Sequence, residues 1–169
     1  MFTDKRLVEI AGGLLILGGL LLILSLDSFH PGDEEMLLDP GRVMNFIGPL
    51  GAAMAYGLRL SLGHGSWVVA AAVLWAGLAV VRGTARASIS ERLLAVLFFS
   101  IVFSALIVVF SQGDPLHTGG AVGIFLHGTF VMLAGKLGAC LLILAMNISA
   151  LILLGVLSLS DILGGTGRF

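Results

Sequence analysis

The chain has 169 residues, 58% of them hydrophobic and 11% charged, with a mean hydropathy of +1.10. Soluble domains carry about 25% charged residues, so this chain lacks the polar side chains to coat a water-facing globule and reads as an integral membrane protein. A net charge of −1 leaves no basic surface, which argues against direct nucleic-acid binding by this chain.

The first apolar run covers about 7–26 and is interrupted only by Glu9. About 20 apolar residues cross a bilayer at 1.5 Å per residue. The run exceeds the ~7–15 apolar residues of a signal-peptide core, and Ser25-Leu26-Asp27 is a poor small-x-small cleavage site. It is therefore expected to be a retained helix. The second span is placed at about 65–81 and the third at about 93–110. The third ends at the breaker Ser111-Gln112-Gly113-Asp114-Pro115. The fourth, about 137–159, contains Asn147 and Ser149 and stops at Ser160-Asp161. Residues 1–169 are read as a single membrane domain.

The charges between the runs set the expected orientation. Lys5 and Arg6 precede the first span, Arg82, Arg86 and Arg92 separate the second from the third, and Arg168 follows the fourth. The opposite side holds Asp27, Asp33, Glu34, Glu35, Asp39 and Asp114, with Arg42 as its loop-borne base. Short basic loops stay in the cytoplasm, so both termini are predicted to be cytoplasmic.

Two further apolar stretches, about 48–63 and 120–135, lie between an outside loop and the next span. Overlaid at an offset of 72 residues, Gly48 matches Gly120, Gly51 matches Gly123, Gly63 matches Gly135, and His64 falls opposite Lys136. Each unit reads as span, outside loop, Gly-x-x-G, about a dozen further residues, glycine, and span, which is an internal repeat. Two spans per unit keep both units in the same orientation, as in parallel repeats. The expected fold is thus all-α: four transmembrane helices in two parallel two-span units. Each unit is expected to carry an extracytoplasmic loop and a short interfacial Gly-x-x-G helix. The competing reading makes Gly48–Val81 one long tilted helix broken at Gly63-His64-Gly65.

Ionisable residues inside a membrane are functional candidates by default. Here Glu9 lies one turn from Lys5 and Arg6, where an interface salt bridge explains it. Arg59, His64, His127 and Lys136 fall near predicted helix ends, where snorkelling anchors explain them. Asn147 and Ser149 are expected to hydrogen-bond between helices. His30, His64, His117, His127 and Cys140 share no metal-ligand spacing. Cys140, the lone cysteine, suits packing in its apolar setting. Gly135-Lys136-Leu137 lacks the Ser or Thr of a phosphate loop. No catalytic, cofactor-binding or metal residue is assigned. Gly12 with Gly19, and Ala72 with Ala76, read as close-packing positions.

The order of pieces resembles the N-terminal four-span membrane domain of the FtsK/SpoIIIE family of bacterial DNA translocases. The basic lead and first span are Lys5-Arg6-Leu7-Val8-Glu9-Ile10-Ala11-Gly12, and the loop motif is Ser28-Phe29-His30-Pro31-Gly32-Asp33. They are followed by Asn45-Phe46-Ile47-Gly48-Pro49-Leu50-Gly51-Ala52 and, later, Gly119-Gly120-Ala121-Val122-Gly123. The loop departs from the family pattern at Phe29, where tyrosine is frequent, and at Glu34-Glu35, where a tryptophan often stands.

This resemblance implies a membrane anchor for a septal DNA pump in the bacterial inner membrane, whose motor and DNA-reading parts would lie beyond Phe169. Its implied partners are the lipid bilayer, divisome membrane proteins and further copies of itself, a hexamer by family resemblance. ATP and Mg are implied for the motor, with no cofactor in this chain. A reading from another class is a small transporter or channel. That reading needs polar groups lining the spans, for which Ser100, Ser104, Asn147 and Ser149 are the candidates.

Overall fold

The computed structural model describes residues 2–30, 32, 43–82 and 89–154. Asp33, Glu34, Glu35, Asp39, Arg42, Arg86, Asp161 and Arg168 lie outside the described residues, as do the side chains of Lys5 and Arg92. The described residues form helices without strands. These are α1 (Phe2–Asp27), α2 (Gly48–Leu62), a 3-10 turn (Gly63–Gly65), α3 (Ser66–Val81), α4 (Ile89–Phe110) and α5 (Pro115–Leu153). Four helical stretches are long and apolar enough to cross a membrane: Arg6–Asp27, Gly48–Val81, Leu93–Phe110 and Pro115–Leu153.

Two of those stretches, of 34 and 39 residues, exceed the roughly 20 residues that a bilayer accommodates, and both are broken. Ala55 of α2 and Ala70 of α3 pack in one buried cluster with Leu26 of α1. A straight helix would hold residues 55 and 70 about 22 Å apart, so the chain folds back at Gly63. The same test applies to α5. Gly123 lies against the Ser104 carbonyl, while the Asn147 amide donates to the Val102 carbonyl at 3.0 Å. Residues 123 and 147 of a straight helix would stand about 36 Å apart, yet both meet one turn of α4. The break is at Gly135, and a second one precedes it at Gly120.

These breaks carry the repeat. The described residues contain four glycines with positive φ: Gly48 (71°), Gly63 (55°), Gly120 (70°) and Gly135 (70°). They are the two pairs that the 72-residue offset aligns. Gly120 and Gly135 also share ψ near 173°, a backbone region that essentially only glycine enters. The chain thus bends at equivalent points of each unit, on entering and on leaving the short helix. In the first unit that helix is α2, which crosses the end of α1 and the start of α3, with Leu22, Ile23, Phe29, Leu58 and Trp67 around its cluster. In the second unit it is the middle segment of α5. Gly119 and Gly123 pack against Ser104 and Val108 there, within the last two turns of α4.

Each unit is otherwise an antiparallel helix pair. In α1 and α3, a β-carbon on Gly19 would stand 2.6 Å from the Leu74 nitrogen, one on Gly77 2.6 Å from the Ile16 nitrogen, and one on Gly12 2.7 Å from Val81. Backbone therefore runs against backbone from residues 12 to 19, with Ala72 and Ala76 buried beside it. Close approach of this kind is what brings helices together in lipid, where hydrophobicity cannot. The second pair, α4 and α5, buries Ala95, Val102 and Ala105 with Ala139, Ile143 and Ala150. The opposite faces expose Leu7, Leu14, Leu94, Leu137 and Leu141, as lipid-facing surfaces do.

Candidate functional site

The polar side chains gather at two joints on the side where α1 ends and α2 begins. The first joint holds α2 onto α1. The Asn45 side-chain amide donates to the Ser25 carbonyl at 2.8 Å, and both residues are buried. Its Oδ1 accepts from the Ile47 amide at 3.1 Å, and its carbonyl accepts from the Gly48 amide at 2.8 Å. The asparagine therefore forms the turn that Gly48 completes, and Pro49 opens α2 where a missing N–H costs nothing. A β-carbon on Gly51 would collide with Asn45, Ile47 and Ser25. The Asn-x-x-Gly-Pro-x-Gly pattern is thus one compact clasp. Beside it, the Phe46 amide donates to the Ser28 hydroxyl at 3.0 Å.

The second joint connects the two units. Gly63 and Gly120 meet backbone to backbone: a β-carbon on Gly63 would strike the Thr118 carbonyl and the Gly120 nitrogen, and one on Gly120 would strike Ser61 and the Gly63 nitrogen. Each bend occupies the room that the other leaves. The Ser104 hydroxyl lies 2.8 Å from the Leu62 carbonyl, freed by the bend, and 2.8 Å from the Ser100 carbonyl. His64 Nδ1 lies 3.1 Å from the Thr118 carbonyl. The Thr118 hydroxyl in turn donates to Ser111 at 2.9 Å. An apolar groove of about 410 Å³ opens beside this joint, lined by His64, Phe103, Leu106, Ile107, Phe110 and Thr118 among others. It offers one imidazole and no carboxylate, so it contains no acid–base pair.

The candidate residues of the sequence divide between these joints, the α4–α5 packing and the surface. Arg59 differs from its expected snorkelling role. It is half-buried, its guanidinium carbon lies 5.5 Å from the centre of the Phe29 ring and 6.0 Å from that of Trp67, and Nη2 donates to the Leu26 carbonyl at 3.4 Å. Two aromatic faces and a carbonyl at the end of α1 hold the cation inward. Asn147 bonds across helices as expected, but Ser149 donates to Ala145 within its own helix. Ser100, a candidate lining residue of the transporter reading alone, donates to Val96 of its own helix. Glu9 is exposed, and no ion pair joins it to Arg6. His117 lies 3.6 Å from Asp114 on the exposed turn. His30 and Lys136 are exposed, while His127 and Cys140 are half-exposed. Among the described residues no three metal-capable side chains come together. The Ser25, Ser104 and Thr118 partnerships were not foreseen; the one sequence signal for them is a hydroxyl at the loop-side end of an apolar run.

The sequence profile of the 4TM region of the DNA translocase FtsK/SpoIIIE matches residues 4–167. The chain belongs to that family. The match takes in both units and both joints. No curated protein sequence and no solved structure is significantly similar to the chain.

Proposed function

We propose that this chain anchors a DNA translocase in the bacterial inner membrane at the division septum, with both termini in the cytoplasm. It makes contacts there with divisome proteins and with its own copies. ATP, Mg and DNA belong to the motor of such a translocase, and this segment holds the motor in place without catalysis of its own. The observation that carries the reading is the family match over residues 4–167. The cytoplasmic assignment of the ends rests on Lys5, Arg6, Arg82, Arg86 and Arg92 lying on one side. Against the transport alternative, Ser104 and Asn147 are buried in joins between helices, and Ser100 and Ser149 bond to their own helices.

A fluorescent protein fused to the C-terminus tests the proposal in dividing cells. A membrane signal concentrated at septa is the expected result; an even membrane signal with no septal enrichment would refute the septal role. Loss of fluorescence with the protein still present would place the C-terminus outside.

A further inference from the structure

The Gly63–Gly120 joint connects the end of one unit's short helix to the beginning of the other's. Among the described residues the remaining two bends of the repeat are free: a β-carbon at Gly48 or at Gly135 would meet nothing within 4 Å. Gly135 is the counterpart of Gly63, and Gly48 is the counterpart of Gly120. One molecule therefore carries a complete joint in its middle and the two complementary halves of a second joint at its ends.

We propose that copies of this chain associate head to tail, the Gly135 bend of one packing against the Gly48 bend of the next, in a repetition of the internal joint. The proposal rests on the oligomer part of the reading above and not on its septal part, so the two can fail separately.

The surroundings of the free bends match this arrangement. In the internal joint Leu62 is 7% exposed, and Gly63, Gly65 and Gly119 are buried. At the free end Leu133 is 72% and Leu137 84% exposed, with Gly135 and Lys136 uncovered between them. At the opposite end Phe46 is 75% and Leu50 69% exposed. Lipid satisfies exposed leucines, but it does not satisfy the backbone polar groups that a helix break leaves. The internal joint meets that need partly by placing His64 on the Thr118 carbonyl. The counterpart of His64 is Lys136 and that of Thr118 is Phe46, so the Lys136 ammonium would donate to the Phe46 carbonyl of the next copy.

The symmetry follows from the repeat. Contact between two different patches is heterologous and propagates until it closes. Units with the same orientation across the membrane are related by an axis along its normal, so successive copies turn within the membrane plane toward a ring.

The test uses the full chain in liposomes, with Cys140→Ala as background. One preparation carries F46C, another K136C, and each is reconstituted alone and also together with the other in the same liposomes before oxidation. A third preparation carries both H64C and T118C, which should form a disulfide within one chain. The expected result is a cross-linked dimer from the mixture, many-fold above either variant alone. No dimer from the mixture while H64C/T118C closes would overturn the proposal. So would equal self-cross-linking of each variant alone, which marks a two-fold contact. Failure of H64C/T118C to close would remove the template on which the proposal is built.

Discussion

Asn45 joins two helices with one side chain: its Nδ2 donates to the Ser25 carbonyl at 2.8 Å, while its Oδ1 accepts from the Ile47 amide at 3.1 Å. Both ends of the amide are occupied and buried. Removing such a residue leaves buried partners unpaired, at about 1–3 kcal/mol. Asn45→Ala is expected to lower stability in detergent by that amount. Asn45→Asp, which keeps the acceptor but loses the donor to Ser25, should not rescue it. Denaturation of the purified variants measures both.

Asn147 makes a useful contrast. Its amide donates to Val102 and Ile143, but its buried Oδ1 has no hydrogen-bond partner among the described residues. Inter-helix hydrogen bonds in membranes average about 0.6 kcal/mol, and the unpaired oxygen offsets part of that. Asn147→Leu should therefore change stability by less than about 1 kcal/mol, clearly less than Asn45→Ala. A loss as large as that of Asn45 would mean that the oxygen has a partner.

The bends separate strain from collision. Within a single chain Gly135→Ala meets open space among the described residues, so in the monomer only its positive φ is penalised, at about 1–3 kcal/mol. Gly120→Ala adds a collision with Ser61 and Gly63 backbone and should cost more. Gly128, with nothing within 4 Å and no positive φ, should accept alanine without loss. Thermal unfolding should rank the three as Gly120, Gly135, Gly128, from most to least destabilised.

Along α1 the glycines alternate between packed and lipid-facing. Gly19→Ala would place a methyl 2.6 Å from the Leu74 nitrogen, whereas Gly18→Ala meets nothing. The first should push α1 away from α3 and destabilise by about 1–3 kcal/mol, as overpacking does. The second should be neutral. Disulfide trapping between the two helices, or unfolding in detergent, would report the difference.

Much of this architecture was legible in the sequence because glycine spacing records backbone geometry directly. Gly48, Gly63, Gly120 and Gly135 could be paired by offset alone, and their dihedral angles pair the same way. The inward face of each span was harder to read. In α3 and in the spanning part of α4 leucine, valine and other apolar residues occur on every face, since lipid and protein interior both accept them. Only Gly12, Gly19, Ala72 and Ala76 gave the contact side away. Arg59 was misread for a related reason. A cation near a helix end is ordinarily drawn toward water, and nothing local showed Phe29 and Trp67 converging on it from two other elements. Ser104 reads from the sequence as a candidate pore-lining residue because its acceptor, the Leu62 carbonyl, becomes available only once Gly63 bends the chain.

The two units solve one closure problem by different means. Between α4 and α5 the turn Ser111–Asp114 is short, and connectivity itself keeps the two elements close. Between α1 and α2 the chain is much longer, and a longer tether leaves its ends more freedom to separate. The Asn45–Ser25 clasp restores there by hydrogen bonding what the short turn enforces by bond length. The first unit is thus fastened at α2 by a hydrogen-bonded clasp and the second by a four-residue turn.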